Sequence, residues 1–146
     1  MPSLALAKTI EECHTRKAIA SLHTHPIPLH IPTPDDIVSS KQLGIDTECV
    51  LSKVGRDCAR AICVKPRTTW DSIIRAAENV LDTLIDSISK YIVVGDDDYL
   101  FLLPFPTPIE VETLERLFIR SLRGRAEILV MNIDLDNREY TEKLYT

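Results

Sequence analysis

The chain has 146 residues, of which 45% are hydrophobic and 27% are charged, as expected for one soluble globular domain. Its formal net charge of −5 argues against nucleic acid as the main partner, because phosphate binding requires a basic surface. No run of about 18 apolar residues occurs, and the N-terminus lacks the pattern of a secretory leader. We therefore expect a cytoplasmic protein without a membrane span.

The first half of the chain is predicted to alternate helices and strands. In Thr33-Pro34-Asp35-Asp36 a hydroxyl occupies the cap position, proline the first helical position and acids the first turn, which predicts the start of a helix. Gly44 is the expected end of that helix. The other predicted elements are a helix over residues 3–14 and strands over residues 17–22, 48–51 and 59–64, the last two joined by a turn at 55–57.

The second half begins with an amphipathic helix over residues 70–88, whose apolar stripe is predicted to form core or a dimer interface. Strands over 91–94 and 99–103 would form a hairpin with a solvated acidic turn at 95–98. Thr107-Pro108-Ile109-Glu110 has the capping-box pattern and predicts a helix over 108–122, followed by a last strand over 127–133. The predicted class is α/β, a single domain with a mixed sheet flanked by helices.

The four cysteines, Cys13, Cys49, Cys58 and Cys63, are dispersed and form no CxxC motif. We interpret them as buried free thiols. A disulfide is the alternative, chiefly for a protein from a hyperthermophile.

Three of the four histidines lie within eight positions, in the segment SLHTHPIPLHIPTPDDIVSS at residues 21–40. Because alternate residues of a strand share a face, His23 and His25 at the end of a strand can point to one side of the sheet. An acid at the start of the returning helix can supply a third ligand. Three protein ligands and one open position are typical of catalytic zinc, whose bound water becomes a nucleophile near neutral pH.

The spacing resembles a known signature. His23-Thr24-His25, seven residues beginning with Pro26, then Thr33, two residues and Asp36 is similar to the JAMM (MPN+) metalloprotease pattern of His-x-His, seven residues, Ser, two residues and Asp. The resemblance covers residues 3–64. It implies a JAMM/cytidine-deaminase-like core at residues 1–66, with residues 67–146 adding the long helix and a β-β-α-β extension. It also implies that the family's first strands are missing and that residues 91–135 could cover the sheet edge left open.

The resemblance further implies a zinc-dependent enzyme that hydrolyses peptide or isopeptide bonds, with protein substrates that include conjugates of ubiquitin-like modifiers. Carried over by position, His23, His25 and Asp36 would bind Zn²⁺. Thr33 would replace the family's serine, whose hydroxyl stabilises the tetrahedral intermediate.

The general base has no clear match, because the family's glutamate lies well upstream of the histidines on a different element. Glu12 is the predicted base, and Glu11 is the only other acid before His23. The remaining alternatives are a residue of the partner in a homodimer, the absence of any base, or one of four acids further along the chain, Glu110, Glu112, Glu127 and Asp134.

Other interpretations remain beside the hydrolase. Thr33 and Asp36 could serve only as a cap pair. The chain could be a non-catalytic MPN-like scaffold that docks or dimerises through the helix at 70–90 and the C-terminal half. A PHP-type phosphoesterase also begins with His-x-His but needs several further histidines, and none follows His30. His30 itself is predicted to be a solvent-facing loop residue.

Overall fold

The computed structural model describes Lys8, Glu11 and residues 19–25, 29–89, 92–94, 100–102 and 108–146. The strands are β1 (Ala20–Thr24), β2 (Thr47–Lys53), β3 (Cys58–Pro66), β4 (Ile92–Val94), β5 (Leu100–Leu102), β6 (Ala126–Asp134) and β7 (Glu139–Tyr145). The helices are α1 (Pro34–Leu43), α2 (Asp71–Ser89) and α3 (Pro108–Leu122). The predicted α/β class with a mixed sheet is confirmed.

Five of the strands form one sheet in the order β1-β2-β3-β6-β7, and β4 and β5 form a separate hairpin. β1 is parallel to β2, connected through α1, and the other neighbours are antiparallel. Within the described residues no strand pairs with the outer edge of β1. None of the described strands within residues 91–135 pairs with that edge: β4 and β5 pair with each other, and β6 pairs with the side of β3 that faces away from β1.

The core lies between one face of the sheet and helices α2 and α3. Alternate residues of β3 and β6 point toward the helices because strand side chains alternate between faces. The apolar stripe of α2 is buried in this core, as Ile73 at 0% exposure illustrates. The main contributors are Ile62, Val64, Ile73, Ala77, Val80, Leu114, Phe118, Leu122, Ile128 and Val130.

Local signals predicted the ends of α1 correctly. Thr33 is its N-cap, and Gly44 follows it at φ 67°, a left-handed conformation that glycine adopts without a Cβ penalty. β1 runs to Thr24 rather than ending at residue 22, so His23 lies inside the strand. β7 was not predicted. Its sequence EYTEKLY is mostly exposed and carries only a weak apolar signal.

The prediction of buried free thiols is wrong for the described cysteines. Cys49 and Cys63 form a disulfide between β2 and β3, where they lie directly opposite each other in the antiparallel register. Cys58 is free but exposed. Cys13, the acidic turn at 95–98 and the predicted cap Thr107 lie outside the described residues.

None of the described helices combines the length and the apolar character needed to cross a lipid bilayer.

Candidate metal centre

Strand β1 brings two imidazoles to one end of the sheet. His23 lies beside Val50 of β2, and His25 directly follows the last residue of the strand. Because residues two apart share a face of a strand, both rings lie on the same side, with centroids 4.9 Å apart. Their Nε2 atoms are separated by 3.1 Å.

Helix α1 supplies the third group through its capping box. The Asp36 N–H donates to Thr33 Oγ1 at 3.3 Å, and the Thr33 N–H donates to Asp36 Oδ2 at 2.8 Å. The same carboxylate places Oδ1 3.1 Å from His23 Nε2 and Oδ2 2.9 Å from His25 Nε2. Thr33 and Asp36 therefore form a cap pair, and this cap holds the carboxylate against both imidazoles.

The far side of each imidazole is also held. His23 Nδ1 lies 2.6 Å from Glu48 Oε1, and the Ser40 hydroxyl donates to the other oxygen of Glu48. His25 Nδ1 lies 3.0 Å from the carbonyl oxygen of Leu29. A carbonyl and an ionised carboxylate only accept hydrogen bonds, so each Nδ1 carries the proton and donates it. Each Nε2 then faces Asp36, to which it donates a hydrogen bond when it carries a proton, and it can bind a metal ion once that proton is lost.

This arrangement suits a metal ion. The ligand atoms of His23, His25 and Asp36 all lie within 4.8 Å of one another, the only such group within the described part of the chain. In a tetrahedral zinc site with Zn–N bonds of about 2.0–2.1 Å, neighbouring ligand atoms are separated by about 3.3 Å. The observed separations of 2.9–3.1 Å are close to that value. Two nitrogen lone pairs and a carboxylate repel one another unless a cation or a proton lies between them.

The surroundings shift the pKa values of these groups. Burial alone would raise the pKa of Asp36, but hydrogen bonds from His25 and the Thr33 N–H, together with the charge of His23, lower it to about 2. The hydrogen bond to Asp36 raises the pKa of His25 against the opposing effect of burial. Burial raises the pKa of Glu48. Asp36 is thus an ionised ligand at neutral pH, and it favours positive charge on its neighbour.

Among the described residues, none of the predicted general bases belongs to the ligand group. Glu12 lies outside the described residues, and Glu11 is an exposed helical residue that has a partner of its own. Among the described acids, the four other candidates are not in the ligand group: Glu110 and Glu112 lie on α3, Glu127 on β6, and Asp134 at the β6–β7 turn. Two of them have clear local roles. Glu112 pairs with Arg116, and Asp134 accepts from the N–H of Asn137.

His30 is not exposed to solvent, contrary to the prediction. Its side chain is fully buried, and its Nε2 lies 2.5 Å from Glu115 Oε2 on α3. Arg60 Nη2 donates to the other oxygen of Glu115 at 2.7 Å. His30 is buried because α3 packs over the loop between β1 and α1, a contact between residues 85 positions apart.

Glu48 is the main residue of the centre that the sequence analysis missed. It is only 2% exposed and occupies an inward position of β2, in alternation with the buried Val50 and Ser52. A glutamate at an inward position of an alternating strand is a signal for a buried carboxylate with a specific partner. Its pairing with His23 depends on the β1–β2 register, which the sequence does not specify.

No protein-family profile, curated protein or solved structure matches this chain significantly.

Proposed function

We propose that the chain is a zinc-dependent hydrolase of peptide or isopeptide bonds, similar to the JAMM metalloproteases, with His23, His25 and Asp36 as the zinc ligands. The observation that supports it is the convergence of two Nε2 atoms and a carboxylate at 2.9–3.1 Å, with each Nδ1 already bound on its far side. Zinc held by three protein ligands lowers the pKa of its water to about 7 and polarises a carbonyl group.

The proposed role of Thr33 is to stabilise the oxyanion of the tetrahedral intermediate. Its Oγ1 accepts a hydrogen bond from the Asp36 N–H, so the hydroxyl proton remains available for donation. The Thr33 hydroxyl thus accepts the hydrogen bond that caps the helix and can donate its own proton to a developing negative charge. Glu12 is retained as the proposed general base, and conjugates of a ubiquitin-like modifier as the proposed substrate class.

A non-catalytic MPN-like domain that binds zinc is the second candidate. One observation favours it: among the described carboxylates, only Asp36 contributes a ligand atom at the centre, and Glu48 contacts the far side of His23. Neither is free to exchange a proton with a bound water. A PHP-type phosphoesterase is less well supported, because the remaining histidine of the cluster, His30, is occupied by Glu115.

The metal is tested first. Purified full-length protein should contain one equivalent of zinc per chain by elemental analysis. In Asp36→Asn the amide oxygen can still accept from the Thr33 N–H, so α1 stays capped while the anionic ligand is lost. Asp35→Asn is the matched control, since Asp35 is exposed in the same helical turn. Loss of zinc from the Asp36 variant alone supports the centre, and equal zinc in all three proteins contradicts it.

The reaction is tested second, on zinc-loaded protein. A ubiquitin-like modifier joined to a reporter through a peptide or an isopeptide bond should be cleaved, and a chelator should abolish cleavage. Zinc binding without cleavage of either fusion would favour the non-catalytic domain.

A further inference from the structure

A cavity lined by α3 lies apart from the metal centre. It has a volume of about 610 Å³ and opens between α3 and the β6–β7 side of the sheet, and none of the metal-centre residues lines it. This volume is within the range of small-molecule pockets, about 300–1,000 Å³. Its ionisable side chains include four arginines, Arg60, Arg116, Arg120 and Arg123, and two glutamates, Glu112 and Glu115.

The positive side chains of this cavity outnumber the negative ones. Glu115 binds Arg60 at 2.7 Å and Glu112 binds Arg116 at 2.5 Å. Of the described residues, none forms an ion pair with the other two arginines of the cavity, so two positive charges remain in a chain whose net charge is −5.

The positions of the arginines at the end of α3 add to this imbalance. Arg116 and Arg120 lie four residues apart on one face of the helix, and Arg123 lies in the turn that directly follows it. Arg116 and Arg120 are like charges at an i, i+4 spacing and repel each other, and a bound anion would relieve this repulsion. On the opposite wall, Arg60 Nε is buried without a hydrogen-bond acceptor, which leaves a donor unsatisfied beside the cavity.

We propose that this cavity binds a small organic phosphate monoester. A guanidinium group matches the geometry of a phosphate with two parallel hydrogen bonds. A phosphate monoester carries a charge of about −1.5 to −2 at neutral pH, which matches the two unpaired arginines Arg120 and Arg123. Ile119, Leu144 and Tyr145 also line the cavity and provide an apolar wall for the organic part.

Isothermal titration of the full-length protein with phenyl phosphate, inorganic phosphate and benzoate tests the proposal. Phenyl phosphate should bind saturably and more tightly than the other two, because only it combines the dianion with an apolar group. No saturable binding up to about 10 mM would overturn the proposal. If inorganic phosphate binds as tightly as phenyl phosphate, the proposal that the cavity recognises an apolar group is refuted. If benzoate binds as tightly as phenyl phosphate, the proposal that the cavity recognises a phosphate group is refuted.

Two variants locate the binding. Arg120→Gln/Arg123→Gln should weaken phenyl phosphate binding roughly tenfold or more, and the exposed positions of both residues make loss of folding unexpected. Arg75→Gln removes one charge from an exposed position on α2 and should leave binding within about twofold of the native protein. Thermal melting confirms that both variants are folded. Unchanged affinity in the double variant would place the ligand elsewhere and overturn the proposal.

Discussion

Replacing Glu48 with glutamine tests whether the carboxylate behind His23 tunes the metal centre. Glu48 is 2% exposed, and its Oε1 lies 2.6 Å from His23 Nδ1. A glutamine side chain can still accept from His23 and turn its amide N–H toward the Ser40 hydroxyl. The variant therefore keeps the shape and the hydrogen bonds of the site and loses only the negative charge.

The expected effect follows from that lost charge. A hydrogen bond to a charged group contributes about 1.5–3 kcal/mol, against about 0.5–1.5 kcal/mol for a neutral one. The difference of about 1–1.5 kcal/mol corresponds to a roughly tenfold loss of zinc affinity. Glu48→Ala also removes the acceptor, so its loss should approach 100-fold, the upper end of the usual range for outer carboxylates of metal sites.

The assay is a competitive zinc titration against a chelating dye, paired with denaturant unfolding of the metal-free protein. The substitution should affect zinc affinity and the stability of the metal-free protein differently. Burial raises the pKa of Glu48, so at neutral pH its ionisation destabilises the metal-free fold. Glu48→Gln should therefore weaken zinc binding without lowering the stability of the metal-free protein. A merely structural role for Glu48 would instead lower both.

Glu78→Gln is the charge control, because Glu78 is exposed on α2. It should bind zinc with native affinity. If Glu48→Gln also retains native affinity while folded, the carboxylate does not act on the metal through His23, and the reasoning is refuted.

Three further outcomes concern the framework around the site. Cys49→Ser should lower the free energy of unfolding by about 3 kcal/mol in denaturant titrations, since the bond to Cys63 closes a loop of roughly 15 residues. Cys58→Ser should leave the free energy of unfolding unchanged, because Cys58 is free and exposed. An equal loss of unfolding free energy in the two variants would contradict this account. Thr33→Val should cost about 1 kcal/mol through the lost cap while Thr33→Ser costs little, and identical stabilities would exclude a capping role. Hydrogen bonds from Asn137 lower the pKa of Asp134, so Asp134 stabilises the fold above its unfolded pKa of 3.8 and ceases to do so as the pH falls through its lower folded pKa. Asp134→Ala should have a lower melting temperature than the native protein at pH 7 and the same melting temperature at the acidic end of a pH series. A difference in melting temperature that does not depend on pH would rule out the carboxylate as its cause.

The parts of this molecule that the sequence predicted depend on neighbouring residues. The start of α1 is encoded by Thr33 and the residues after it, and its end by Gly44. His23, His25 and Asp36 lie within 14 positions, on a strand end and a helix start that local patterns predict. Short-range spacing was therefore sufficient to bring these three side chains together.

What the sequence could not provide depends on strand register and on packing between distant elements. Cys49 meets Cys63 only because β2 and β3 pair without a shift, and a slip of one residue would turn one thiol to the other face. Glu48 and His23 meet through the parallel register of β1 and β2. β7 has little apolar character of its own and is a strand because β6 presents an edge to it.

The double use of Asp36 links the fold to the chemistry of the site. In the capping box of α1 the Thr33 N–H holds the Asp36 carboxylate in place, and the two carboxylate oxygens then lie against the two imidazoles. Helix capping thus offsets part of the conformational entropy that is lost when the Asp36 side chain is ordered. A metal ion therefore binds to groups that are already arranged. Because the cap needs only an oxygen acceptor while the metal needs a negative charge, an asparagine at this position separates the two roles. Retention of the fold with loss of zinc in that variant would show that the centre is built for an ion rather than for the helix.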